Sequence, residues 1–167
     1  MMKGNTYMKT ITSITYPAFA LFAFACFALS QARAQCPQGC DNRGNTWQGL
    51  SALDSNTGLY NTAFGLAALE HNTTGSFNTA FGLAALAGNE TGNYNTAIGY
   101  FALRYNTGRF NTGIGTDALS LNTSGAANTA TGYRALTANT TGSYNNAFGN
   151  GALSANTTGR GNGGQVT

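Results

Sequence analysis

The chain has 167 residues, only 8 % of them charged, and a formal net charge of +3. Lys3, Lys9 and Arg33 account for this excess, because the chain after residue 34 carries five arginines against five acidic residues. A neutral, lysine-free chain offers phosphates little electrostatic attraction, so composition excludes nucleic acid and anionic membranes as charge-held partners.

Residues 1–34 have the features of a secretory signal peptide. Lys3 and Lys9 precede an apolar run over residues 16–29, and Ala-Arg-Ala at 32–34 supplies small residues for cleavage. The run falls short of the ~20 residues that a membrane-spanning helix needs. We therefore predict a secreted protein, extracellular or at the cell surface, without a transmembrane anchor after cleavage. A retained anchor is the alternative.

Residues 35–44 form a short segment that contains Cys36 and Cys40 in the order C-P-Q-G-C. In an oxidising compartment this pair predicts a disulfide within the segment, and a bridge between two chains is the alternative. A metal site would need more ligands, and the single histidine, His71, lies far along the chain. We predict neither a metal site nor a cofactor.

Seven copies of one short unit fill residues 45–161, and successive copies begin 16 or 17 residues apart. The unit reads approximately N-T-A-aromatic-G-x-x-A-L-x-x-N-T-T-G-x-aromatic. A fixed short period is typical of a solenoid, in which each unit packs only on its neighbours. We predict that residues 162–167 form a short, flexible tail.

Each unit begins with a stretch of alternating character. In the unit at residues 61–77, Tyr60, Thr62 and Phe64 share one side, and Asn61 and Ala63 share the other. A period of two that is rich in aromatic and β-branched residues predicts a short strand. The alternation alone leaves open which side is buried.

An Ala-Leu pair stands at one position of every unit. Stacked leucines would form a continuous apolar row, each contributing about 1.5–3 kcal/mol if fully buried. The segment around this pair is either a second strand or one helical turn. The predicted row comprises Leu69, Leu86, Leu103, Leu119 and Leu136.

The N-T-T-G segments predict turns, because Asn tolerates left-handed torsions and Gly adopts positive φ freely. At the start of each unit, identical asparagines in stacked coils can bond through their amides in a ladder. The predicted ladder comprises Asn61, Asn78, Asn95, Asn111 and Asn128. The sequence therefore predicts an all-β protein, a parallel β-solenoid (β-roll or β-helix) of about seven coils of 16–17 residues.

The N-T-A-x-G…A-L…N-T-T-G pattern resembles repeats of bacterial and phage surface-fibre proteins. It is similar in style to the β-roll heads of trimeric autotransporter adhesins, whose units carry an Asn/Ser-Val-Ala-Ile-Gly core. The nearest matches are residues 78–82 (N-T-A-F-G) and 95–99 (N-T-A-I-G). The resemblance covers residues 45–161 and implies a parallel β-solenoid outside the cell, with three chains side by side. The units here are longer than those of the adhesin heads, and the sequence shows no coiled-coil stalk or C-terminal membrane barrel, so we do not expect a self-anchored autotransporter.

Aromatic residues precede the first asparagine of most units, with Ala127 and Gly161 as gaps. This row is a candidate assembly or binding surface, and its alternatives are core, a chain–chain contact or a carbohydrate-stacking surface. Its members are Tyr60, Phe77, Tyr94, Phe110 and Tyr144.

No constellation of residues predicts catalysis. Glu70 and His71 are adjacent but occupy variable positions, and the five acids are scattered over different units and flanking segments. We predict a non-enzymatic, structural or adhesive protein, a subunit of an extracellular fibre or matrix that assembles end to end or side by side. Its expected partners are copies of itself, with surface glycans and host or environmental surfaces as further candidates.

End-to-end assembly rests on the prediction that both solenoid ends are poorly capped. The alternative function is a monomeric binding module that recognises a repetitive target, either polysaccharide or ice. The threonine row, which includes Thr62 and Thr79, is the basis for ice, and the aromatic row is the basis for polysaccharide.

Overall fold

The computed structural model describes residues 38–165, so the predicted signal peptide and Cys36 lie outside the described residues. No helix able to cross a membrane is found among them. Within this range the chain forms nine strands of three residues each. These are β1 (Gln38–Cys40), β2 (Thr46–Gln48), β3 (Thr62–Phe64), β4 (Thr79–Phe81), β5 (Thr96–Ile98), β6 (Thr112–Ile114), β7 (Thr129–Thr131), β8 (Asn146–Phe148) and β9 (Gly163–Gln165).

The strands form one sheet in chain order. From β2 to β9 every neighbouring pair is parallel and in register by repeat position, so that Thr62 pairs with Thr79 and Ala63 with Ala80. Each coil contributes a single strand to this sheet. Strand β9 lies within the predicted flexible tail, so that prediction is wrong for residues 163–165, which pair with β8. The predicted all-β parallel solenoid of about seven 16–17-residue coils is therefore confirmed.

The segment around each Ala-Leu pair is neither a second strand nor a helical turn. It is a run of tight turns in which alternate residues are left-handed: in one coil, φ is 131° at Gly65, 57° at Ala67 and 52° at Leu69. The glycine is required, because a Cβ on Gly65 would meet the carbonyl oxygen of Gly82 at 2.5 Å.

The alternation of φ directs the N–H groups of this segment to both neighbouring coils. The Ala67 N–H donates to the Leu50 carbonyl of the coil before, at 2.9 Å. The Leu69 N–H donates to the Ala85 carbonyl of the coil after, at 3.0 Å. Left-handed torsion costs a non-glycine residue about 1–2 kcal/mol. These inter-coil hydrogen bonds offset that cost and connect the coils on the side away from the sheet.

The interior is narrow and is filled by alanine, leucine and asparagine side chains. The five leucines of the predicted row are completely buried, as are the central alanines of most strands, such as Ala63 and Ala80. The buried side of the strand is thus the side of Asn61 and Ala63. No buried side-chain nitrogen or oxygen of the described residues lacks a hydrogen-bond partner.

The predicted asparagine ladder lies inside the solenoid, with every member fully buried. The Asn61 side-chain oxygen accepts the backbone N–H of Asn78 at 2.9 Å, and the Asn61 amide donates to the Gly75 carbonyl at 2.8 Å. Both bonds repeat along the row. The ladder therefore runs mainly through alternating side-chain and backbone groups.

A second asparagine row forms the direct amide-to-amide ladder. The Asn72 amide donates to the side-chain oxygen of Asn56 at 2.6 Å, and Asn89 donates to Asn72 at 2.7 Å. The Asn72 amide also reaches the Gly75 carbonyl at 2.9 Å. Because this carbonyl serves both rows, it joins the strand corner to the turn corner of each coil.

The N-terminal end of the solenoid is covered, so the prediction of poor capping is wrong for this end. Strand β1 pairs antiparallel with β2 and places Gly39 opposite Trp47, which packs partly buried against the core. A Cβ on Gly39 would meet the indole ring at 2.6 Å, so glycine is needed here. In the turn that follows, the Asp41 carboxylate accepts hydrogen bonds from Arg43 and Asn45.

Candidate interaction surface

The outward side of the sheet carries three parallel rows of side chains, which we call the outer sheet face. The outer rows flank a central row of threonines, one of which, Thr62, lies between Tyr60 and Phe64. The aromatic row comprises Tyr60, Phe77, Tyr94, Phe110, Ala127 and Tyr144. The threonine row comprises Thr46, Thr62, Thr79, Thr96, Thr112, Thr129 and Asn146. The third row comprises Gln48, Phe64, Phe81, Ile98, Ile114, Thr131 and Phe148.

The predicted aromatic surface residues lie on this face. Their rings stack along the solenoid axis, with centroid distances of 5.1 Å for Tyr60–Phe77, 4.9 Å for Phe77–Tyr94 and 5.2 Å for Tyr94–Phe110. All five predicted aromatic residues are exposed, by 45–58 %. The core interpretation of this row is therefore wrong, because the narrow interior is occupied by asparagine and alanine.

The stacking determines what the row offers to a ligand. The planes of Phe77 and Tyr94 are within 1° of parallel, so each ring face is covered by its neighbour and the ring edges point outward. A sugar that stacks on an aromatic residue needs a free ring face, which the continuous part of the row lacks. Thr46 is exposed, but the other threonines of the central row are half-buried between two taller rows, unlike the flat row that ice recognition would use.

The third row is a second apolar row, which the sequence-based list of candidate residues omitted. Phe64 and Phe81 stack with a centroid distance of 5.0 Å, and Phe81 and Phe148 are exposed. The signal was present in the sequence, since the alternation that predicted the strand puts Phe64 on the same side as Tyr60. It was missed because only the residues preceding the first asparagine were considered.

The outer sheet face is large and mostly apolar, and the Arg160 guanidinium lies 4.7 Å from the ring centroid of Tyr144 at its C-terminal end. Seven of its aromatic residues are exposed by 41–58 %, and no charged residue stands in any of the three rows. At roughly 100 Å² exposed per ring, with smaller contributions from two isoleucines, the apolar surface amounts to about 800 Å². Patches on monomeric proteins rarely exceed about 300–600 Å². A surface of this kind indicates an interaction site.

Other side chains with chemical potential are scattered. Glu70 and His71 approach each other at 3.9 Å on the surface, and Cys40 is exposed on β1. Within residues 38–165, no three His, Cys, Asp or Glu side chains form a group that could hold a metal ion. The predicted disulfide is outside what the structure describes, because Cys36 is not among the described residues.

No protein-family model, curated protein or solved structure matches the chain.

Proposed function

We propose that this chain is a secreted structural protein that associates side by side with copies of itself, through the outer sheet face, to build an extracellular fibre or matrix. The observation that carries the proposal is the mostly apolar outer sheet face, which amounts to about 800 Å². That area equals the roughly 800 Å² per partner of a specific, stable protein–protein interface.

The period of the face favours a second copy as the partner. The large side chains of one coil form a ridge across the face, and these ridges recur once per coil, as the ring spacings of 4.9–5.2 Å show. A partner surface with the same spacing can place its ridges in the grooves between the ridges of this face. Another copy of this chain has that spacing. Two such sheets can pack face to face with their strands nearly aligned, as in other sheet-on-sheet contacts.

The N-terminal end of the solenoid favours lateral over end-to-end contacts. Strand β1 is antiparallel to the rest of the sheet, so a coil added there would meet a strand of the wrong direction. At the N-terminal end of the asparagine ladder, Asn45 donates hydrogen bonds to Asp41 instead of to another asparagine. Lateral association needs no change at this end.

Sedimentation of the purified protein over a wide concentration range tests the proposal. We expect reversible association in the wild type and about tenfold weaker association in Tyr94→Lys, which places a charge at the middle of the face. The matched control is Tyr133→Lys. Tyr133 lies beyond the Gly132 bend, off the outer sheet face, and both tyrosines are 52 % exposed.

The control should associate like the wild type. A wild-type protein that stays monomeric at every concentration would contradict the proposal. Equal weakening by both lysine variants would also contradict it, because association would then not depend on this face.

A further inference from the structure

A shallow depression with a volume of about 560 Å³ lies beyond the glycine bends, off the outer sheet face, mainly on the coils with strands β7 and β8. This volume is within the range of about 300–1,000 Å³ that is typical of sites for small molecules. We call it the Tyr133 depression. Its lining includes Leu121, Tyr133, Arg134, Thr137, Asn150 and Ser154.

The depression exists because small residues occupy positions that carry large side chains in an earlier coil. Ala138 stands at the repeat position of Tyr105, and Gly151 stands at the repeat position of Phe101. A Cβ on Gly151 would meet no atom closer than the Ser154 Oγ, at 4.0 Å, so the space above this glycine is open. The substitutions within the repeat therefore leave room for a ligand at this level of the solenoid.

Tyr133 lacks the stacked neighbours of the aromatic row. The residues at its repeat position in the coils before and after are Thr116 and Asn150, and neither carries a ring. By contrast, Tyr100, at the same position two coils earlier, has the centroid of the Phe101 ring 3.8 Å from its own. Tyr133 is 52 % exposed. It therefore offers the accessible ring face that the continuous part of the aromatic row lacks.

Arg134 supplies a positive charge next to this ring. Its guanidinium lies 6.0 Å from the Tyr133 ring centroid, and no acidic residue is among the described residues that line the depression. Asp117 holds the same position on the coil before and forms no ion pair with Arg134, since the sole ion pair within residues 38–165 lies elsewhere. A guanidinium binds a carboxylate through two parallel hydrogen bonds. The charge therefore favours a ligand that carries a carboxylate.

Groups that both donate and accept hydrogen bonds complete the lining. Asn150 and Ser154 contribute an amide and a hydroxyl, and the Thr137 hydroxyl lies 3.1 Å from the hydroxyl of Ser120. Such groups pair with the hydroxyls of a sugar, which likewise donate and accept. The C–H groups on the face of a sugar ring pack against the negative face of an aromatic ring. One ring face, one guanidinium and several hydroxyl and amide groups together match a sugar that bears a carboxylate.

We propose that the Tyr133 depression binds an acidic saccharide, with the ring of a hexuronate stacked on Tyr133 and its carboxylate held by Arg134. This inference goes beyond the proposed function and does not rest on it, because the depression lies off the outer sheet face. A fibre of such subunits would present one acidic-saccharide site on every subunit.

Calorimetric titration of the purified protein with oligogalacturonate tests this inference. The matched probe is the fully methyl-esterified oligomer, which keeps the sugar rings and loses the carboxylate charge. We expect oligogalacturonate to bind about tenfold more tightly than the ester. Equal binding of the two probes, or no binding of oligogalacturonate, would overturn the inference and leave the side-by-side association unaffected.

Substitutions separate the contribution of the ring from that of the charge. Tyr133→Ala should weaken binding of oligogalacturonate by about tenfold, whereas Tyr133→Phe should keep it, because phenylalanine retains the stacking face. Arg134→Gln should abolish the preference for oligogalacturonate over its ester. The matched control is Tyr100→Ala, at the same repeat position of an earlier coil, which should bind like the wild type.

Folding is checked by urea unfolding of the same variants. The three substituted residues are exposed, so the unfolding midpoints should stay close to that of the wild type. A folded Tyr133→Ala protein that binds oligogalacturonate as tightly as Tyr100→Ala would show that the saccharide binds elsewhere, and the inference would be wrong.

Discussion

The carboxylate of Asp41 receives two hydrogen bonds from Asn45: the backbone N–H reaches Oδ1 at 2.9 Å and the side-chain amide reaches Oδ2 at 2.9 Å. One coil later, the corresponding backbone N–H of Asn61 donates to the side-chain oxygen of Asn45 at 2.7 Å. Asp41 thus occupies the position that an asparagine of a preceding coil would hold. The ladder begins on a carboxylate, which accepts hydrogen bonds and donates none when ionised.

This arrangement predicts that acid loosens the N-terminal cap. The hydrogen bond from the Asn45 side chain is the main cause that holds the pKa of Asp41 below its usual value. Because the folded-state pKa is lowered, the stabilisation is present above the unfolded value of about 3.9 and is lost as pH falls through the folded value. We expect the fluorescence of Trp47, the only tryptophan, to report loosening of β1 as pH falls below about 4.

The variant Asp41→Ala should show the loosened Trp47 signal already at neutral pH and lose this acid transition. Asp54→Ala is the control, since Asp54 is exposed and lies outside the cap. An acid transition at Trp47 that persists unchanged in Asp41→Ala would show that other groups govern the cap.

The ladder predicts a large difference between buried and exposed asparagines. Asn95→Ala removes the only acceptor of the Asn111 N–H, now 2.9 Å away, and leaves the Gly108 carbonyl with Asn106 alone. A lost hydrogen bond plus one unsatisfied buried donor should lower the free energy of unfolding by roughly 3 kcal/mol.

The control for this variant is Asn150→Ala, at an exposed asparagine. It should change the free energy of unfolding by less than about 0.5 kcal/mol. Urea unfolding followed by circular dichroism measures both. Similar losses in the two variants would mean that the ladder does not stabilise the fold.

The left-handed segment predicts an unusual preference for glycine. Arg134 is exposed and has φ of 54°, and the same position in the next coil is Gly151 with φ of 69°. Relief of left-handed strain should make Arg134→Gly more stable than Arg134→Ala by about 1 kcal/mol. At exposed Ala155, which is not left-handed, Ala→Gly should instead destabilise by about 0.5–1 kcal/mol. Urea unfolding of the three variants measures the sign of each stability difference. A higher stability of Arg134→Ala than of Arg134→Gly would count against the left-handed torsion at position 134.

The sequence predicts the parts of this fold that depend on repetition. Stacking in register follows from the period alone, because identical units can satisfy the pairing of Thr62 with Thr79 in every coil. The burial of Leu69 and the ladder of Asn61 follow from the same period. Strand β1 lies outside the repeats, and so the closure of the N-terminal end carried no periodic signal.

Two features could not be read from residue types. Leucine rarely adopts positive φ, so nothing in Ala-Leu pointed to the left-handed Leu69, which only the hydrogen bonds to both neighbouring coils explain. Aromatic residues are usually buried, yet Tyr60 and Phe64 lie outside while Asn61 and Ala63 fill the interior. A coil of 16–17 residues with one three-residue strand leaves too little internal space for rings.

The second ladder makes a prediction about modification. Its members Asn72, Asn89, Asn122, Asn139 and Asn156 are each followed by the x-Thr or x-Ser of a glycosylation acceptor. The amide of Asn89 is fully buried and donates to the Asn72 side-chain oxygen at 2.7 Å and to the Gly92 carbonyl at 3.0 Å. A glycan on that nitrogen would remove a donor and would not fit inside the coil.

In a host that glycosylates secreted proteins, we expect intact mass spectrometry of the folded fraction to find Asn72, Asn89, Asn122 and Asn139 unmodified. The matched control is Phe148→Thr, which creates an acceptor at exposed Asn146 and places at position 148 the residue type that Thr131 supplies at the same position of the coil before. A folded, protease-resistant fraction with glycan on Asn89 would contradict the buried ladder.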